Sequence, residues 1–227
     1  MRTSWIRFAL PLTGLLLLVG CGKDKQADQA ALSATPAKAV MTSASLLKAG
    51  DFDGLMQHVL TPADYKAMRA DWGKDHDISK ISPEDRKKFA EDMQRLTAAD
   101  AEQKLFTELK PKLDAFNTRY KVQLPLFIGM GQTVAGTQID QSAEMTPEQK
   151  AQAKDALAAL ADWAGKTPWG DPVKARQAIG FVVDSARRID LKTMDQAYAL
   201  DYTGAMQRYT TAWTGLKQVL AVYGLKI

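Results

Sequence analysis

Histidine and cysteine are nearly missing from this chain, with two histidines and one cysteine in 227 residues. A structural or catalytic zinc site draws its ligands from thiolates, imidazoles and carboxylates. A hydrolytic triad needs a nucleophile, a base and an orienting group that converge. The shortage therefore argues against a metal cofactor, and against acyl transfer by a histidine-based triad. A single cysteine also excludes a disulfide within the chain, so the fold must stand on its apolar core. Runs of β-branched residues are scarce, whereas alanine, leucine, lysine, glutamine and methionine are plentiful, a mix that favours helix. Charge of one sign is lacking too. Thirty basic residues face 26 acidic ones, for a net charge of +4, which is too balanced to point to nucleic acid or to a strongly anionic surface.

The one long apolar run lies at the N-terminus. Arg2 and Arg7 precede an apolar stretch from Phe8 to Val19, the layout of an export signal. About twelve apolar residues fall short of the roughly 20 that a membrane-spanning helix needs. The stretch Leu18-Val19-Gly20-Cys21 resembles the lipobox of bacterial lipoproteins: an aliphatic residue, a small pair and then the only cysteine. That resemblance implies diacylglyceryl modification of the Cys21 thiol, cleavage after Gly20 and acylation of the new amino terminus. It also implies attachment to the periplasmic face of the envelope. Gly22, rather than aspartate, follows the cysteine, so the sorting rule of such lipoproteins favours the outer membrane. Two or three acyl chains on one residue make a lasting anchor, where a single chain binds only marginally.

Three segments follow. Residues 1–20 are the signal peptide, residues 21–36 a lipid-anchored tether and residues 37–227 a single all-α domain of seven or eight amphipathic helices. Removing residues 1–20 takes away Arg2 and Arg7 and lowers the net charge from +4 to +2. The tether is small and polar, and about fifteen such residues hold a domain roughly 20 Å from the bilayer.

Start and stop signals recur through the domain. Asp51, Thr61-Pro62, Ser82-Pro83, Thr146-Pro147 and Asp171-Pro172 read as helix starts. Gly50, Gly73, Gly165 and Gly224 read as stops. A long helix is expected over Ala98 to Tyr120, kinked or broken at Pro111. The final segment places Tyr198, Tyr202, Ala205, Met206, Tyr209, Trp213, Leu216, Leu220 and Tyr223 at steps of three and four, an amphipathic stripe several turns long. Leu124 to Ile139, with its three glycines, reads as a buried helix or hairpin in which glycine permits close backbone approach.

Motifs that would name a chemistry fail on spacing. Gly129-Met130-Gly131 lacks the third glycine of a dinucleotide fingerprint, because Val134 stands in its place, and no phosphate-loop lysine follows. No nucleotide is expected. Asp75-His76-Asp77 has only His58 to add as a second imidazole, and reads as a solvated loop. The pairs Asp51 with Asp53 and Asp190 with Asp195 are what chance gives among 26 acids. The chain is expected not to be an enzyme.

Two loops carry tryptophan, Trp72 ahead of Gly73 and Trp169 within Thr167-Pro168-Trp169-Gly170-Asp171-Pro172. Tryptophan is enriched at the energetic centres of protein interfaces. Trp72 and Trp169 are thus the candidate partner-binding residues for a periplasmic protein, the competing reading being that each indole caps a helix end. In architecture the chain looks like the small lipoproteins that serve as immunity proteins or inhibitors against secreted, envelope-attacking toxins, which implies a non-catalytic protein-binding module. The alternative is an envelope maintenance or biogenesis factor that binds or carries lipid or peptidoglycan components.

Overall fold

A computed structural model describes residues 36–74 and 76–227, which form a single all-α domain. Residues 1–35, which hold the expected signal peptide, Cys21 and all of the expected tether but its last residue, lie outside the described residues, as does Asp75; Pro36, expected to end the tether, already opens the first described helix. Among the described residues ten α-helices, where the sequence predicts seven or eight, run in order: α1 (Pro36–Ala49), α2 (Phe52–Val59), α3 (Pro62–Asp71), α4 (Pro83–Thr97), α5 (Ala101–Ala115), α6 (Leu124–Gln141), α7 (Pro147–Lys166), α8 (Pro172–Ile189), α9 (Met194–Tyr198) and α10 (Tyr202–Val222).

The start signals act as the sequence requires. Asp51 accepts from Gly54 N at 2.8 Å, Thr61 from Asp64 N at 3.1 Å, Ser82 from Asp85 N at 3.0 Å and Asp171 from Val173 N at 2.8 Å. Thr146 and Gln149 complete a reciprocal capping box. Each such cap contributes about 1 kcal/mol. Gly50, Gly73 and Gly224 all adopt positive φ, the left-handed conformation that ends a helix and that glycine tolerates.

Three boundaries and one burial depart from expectation. Pro111 sits inside α5 without ending it; the chain leaves α-geometry only after Ala115, in a π-helical turn over Phe116–Tyr120. Gly165 does not stop α7, which runs one residue further. The last stripe is divided, because Tyr198 closes the short α9 and Asp201 starts α10 afresh, its carboxylate accepting from Gly204 N at 2.7 Å. Finally, α6 is a helix in a hairpin, but none of its residues is buried.

Helix α8 is the centre of the body, packed by α10, α5 and α4. Its buried face is built of small residues, Ala175, Ala178, Val183 and Ala186, so neighbours approach closely. Phe106 and Leu113 of α5 meet Ala175, flanked by Leu109 and Ile179. On α10, Gly215 faces Ser185 of α8 with no room for a side chain. The α6–α7 hairpin stands apart as an arm whose extensive packing is of one helix on the other. Its root is tied to the body, where Trp163 Nε1 donates to Tyr223 O at 2.8 Å. Among the described residues, no helix is long and apolar enough to cross a membrane.

Candidate functional site

Trp72 closes α3, and Gly73 turns the chain sharply behind it. The indole lies against the start of α10: its Nε1 donates to Leu200 O at 3.1 Å, and its ring meets Tyr202 edge-on at 5.4 Å. His76 packs edge-on to the same indole at 5.4 Å, with Nδ1 3.3 Å from Tyr198 O. Trp72, His76, Tyr198 and Leu200 line, with Leu191, Arg208 and Tyr209, a cleft of about 380 Å³. Tyr209 projects from it with half its surface exposed. The Arg208 guanidinium donates through Nη1 to Gly204 O at 3.1 Å, while its Nε is buried without a partner.

A second cleft, of about 430 Å³, opens on the other side of Tyr202, between α2, α3 and α10. Tyr65 donates to Asp53 at 2.7 Å and Gln57 donates to Asp53 at 2.9 Å. The Arg69 guanidinium lies over the rings of Tyr202 and Tyr65, at 5.0 and 5.8 Å. Burial alone would raise the Asp53 carboxyl. The hydroxyls of Tyr65 and Tyr202, the Gln57 amide and the Arg69 charge outweigh it and hold that carboxyl below its ordinary range. Burial, then the neighbouring carboxylate, push ionisation of Tyr202 upward, so its hydroxyl stays neutral. That hydroxyl is buried and close enough to feel Asp53, but it lacks hydrogen-bond geometry to any partner.

Trp169 lines a third cleft of about 380 Å³ with Phe116, Leu124 and Pro125. Its Nε1 donates to Ala164 O at 2.8 Å, and its ring stacks on Tyr223 at 5.3 Å and meets Trp163 edge-on at 5.2 Å. Both predicted indoles thus pack back over helix ends, half-buried, while lining clefts. They are not brought together. Trp72 belongs to the first turn of α10 and Trp169 to its last residues, and 21 residues of helix put about 30 Å between the two ends.

Compared with models of protein families, with curated proteins and with solved structures, the chain matches none. Function must be read from the groups themselves.

The remaining sequence candidates have structural partners. His58 Nε2 lies 3.0 Å from Ala39 O, and Asp77 caps a 3₁₀ turn through Ser79 N at 3.0 Å. Asp51 is a cap, Asp190 ends α8 in the left-handed conformation and Asp195 holds Arg86 at 2.6 Å. Among the described residues, no three His, Cys, Asp or Glu side chains cluster to hold a metal. The Asp53, Tyr65, Arg69 and Tyr202 cluster escaped sequence reasoning. Its visible signal was the four-residue step from Tyr65 to Arg69, but Tyr202 arrives from well over a hundred residues away.

Proposed function

We propose that this chain is a lipid-anchored lipoprotein, held by acyl chains on Cys21 to the periplasmic face of the outer membrane, and that it works as a non-catalytic module binding a protein. The observation that carries the reading is the Trp72 cleft. It combines an indole, two tyrosines and an arginine, the residue types enriched at the energetic centres of protein interfaces, with an imidazole, around a depression of about 380 Å³. Apart from Arg208 Nε, the polar groups described around it are engaged with backbone carbonyls, so recognition by shape and aromatic contact is the chemistry it can do. The likeness of architecture to immunity proteins and inhibitors makes a secreted, envelope-attacking protein the partner class. The alternative is an envelope maintenance or biogenesis factor that binds or carries lipid or peptidoglycan components, and its lipid-carrying form requires an enclosed apolar cavity. The three clefts are open and lined by polar as well as apolar groups, and lend lipid carriage no support.

The test is quantitative retention of a periplasmic or secreted protein by the membrane-extracted chain. Tyr209→Ala is the decisive variant, because Tyr209 is half-exposed and its loss leaves the core intact. Trp72→Ala is the second. Loss of a hot-spot ring worth about 2 kcal/mol weakens binding about 30-fold. Equal retention by both variants, with circular dichroism confirming that they fold, would remove the cleft from the proposal.

A further inference from the structure

The arm presents a surface the Trp72 cleft does not explain. On α6, Leu126, Met130 and Val134 follow at four-residue steps with Phe127 beside them, so they share one face. They are between 55% and 64% exposed. The opposite face is committed: Ile128, Ala135 and Ile139 are half-buried, and Ile128 reaches Gly165 of α7. No charged residue occurs from Val122 to Ile139. A stretch apolar on all sides belongs in an interior; Leu124 to Gly131 is such a stretch, with Thr133, Thr137 and Gln138 following it, yet α6 is covered on one side only. A contiguous apolar face left open marks an interaction surface.

We infer that the outer face of α6 pairs with the same face of a second copy of this chain, the two helices antiparallel and related by a two-fold axis through Met130. Along the row 126–130–134 the pattern is self-complementary about that residue, while Phe127 falls against Thr133. Turning α6 end for end sets Met130 against its own copy, Leu126 against Val134 and Val134 against Leu126, which is the contact rule of an isologous dimer. Charges at the two ends agree. Arg119 and Lys121 precede the stripe, whereas Asp140 and Glu144 follow it, with Asp140 already holding Lys154 of α7 at 2.6 Å. Antiparallel pairing brings the basic end of one helix to the acidic end of the other and opposes the helix dipoles, whereas parallel pairing sets Lys121 against Lys121. Gly129 and Gly131 flank Met130, and a side chain built at either would meet nothing within 4 Å, so backbone is open at the axis. A bilayer is the poorer occupant, because helices that lie in a membrane interface carry lysine and arginine on their polar face and α6 has neither. Four apolar side chains are few beside the 20–30 residues that a standard interface uses on each side. The pairing is therefore weak in dilute solution and favoured where copies are held at high effective concentration, as on a shared membrane.

Single-cysteine cross-linking of the full chain in its membranes tests this. Met130→Cys is expected to give a disulfide-linked dimer under mild oxidation, at least five-fold more than Gln152→Cys on α7, with the 130–130 link confirmed by mass spectrometry. Leu126→Cys and Val134→Cys should each link poorly alone and efficiently when the two are co-expressed. The unsubstituted chain is the blank, and any dimer it gives is subtracted from the yields of the variants. Two results overturn the inference: Met130→Cys linking no better than Gln152→Cys, or Leu126→Cys linking to itself as well as Met130→Cys does. An α6 occupied by lipid or by another protein would give the first.

Discussion

Gly215 is where a single atom matters most. A Cβ there would lie 1.9 Å from Ser185 Oγ and 2.8 Å from Ser185 Cβ, at the seam between α10 and α8. The hydroxyl can turn away, but the Cβ cannot. Gly215→Ala therefore spends its helix-propensity gain of about 0.5–1 kcal/mol on overpacking that costs about 1–3. The variant is expected to melt several degrees lower in calorimetry, and an unchanged or higher melting temperature would contradict this packing. The Asp53 cluster gives a paired prediction. Tyr65→Phe removes a 2.7 Å bond to a carboxylate and should cost about 1 kcal/mol, whereas Tyr202→Phe removes a buried hydroxyl that lies near the same carboxylate without hydrogen-bond geometry and should cost less than Tyr65→Phe. Because the Asp53 carboxyl is held below its ordinary range, its stabilisation is present at neutral pH and is lost as pH falls through the folded-state value. The stability gap between the parent and Asp53→Asn should be full at pH 7 and shrink below about pH 4. A gap that widens in acid would show the shift to have the other sign.

At the scale of elements, the helix starts were legible because capping is local: the side chain of Thr61, Ser82 or Asp171 bonds a backbone amide two or three residues on. What was not legible depended on contacts between distant segments. Pro111 left α5 unbroken because a helix packed along its length, with Phe106 and Leu113 buried on either side, tolerates a lost hydrogen bond. The stripe from Tyr198 to Tyr223 looked continuous because Tyr198 and Tyr202 keep helical spacing across a break that Asp201 makes. The glycines of α6 suggested burial, yet side chains at Gly129, Gly131 and Gly136 would meet nothing, because the neighbour they were read as admitting is not in the body of the domain. An arm packed chiefly on itself should open separately. Amide exchange is expected to be faster throughout α6 and α7 than in α8 and α10, and Thr146→Ala, which destroys the capping box, should speed exchange in the arm alone. Uniform exchange across all four helices would show that the arm is no independent unit.

Over the whole molecule, the all-α class followed from composition and helical spacing, and the candidate site followed only in part. Trp72 and Trp169 stood out as indoles beside helix ends, but nothing local told that Leu200 would receive the Trp72 N–H or that α10 would hold the two clefts about 30 Å apart. The proposed anchor lies outside the described residues, and the case for it is chemical: one cysteine, placed directly after an apolar run and a small pair. If Cys21 carries the chain, the domain works within a tether's reach of its membrane, and both the Trp72 cleft and the α6 face act there. Intact mass spectrometry of the chain extracted from membranes tests this most directly. The account predicts a polypeptide that begins at Cys21, heavier than residues 21–227 by two or three acyl chains and a glyceryl group, and a Cys21→Ala variant that is neither acylated nor cleaved after Gly20. An unmodified Cys21 in the native chain, or a Cys21→Ala chain that is still cut after Gly20 and still membrane-bound, would contradict it.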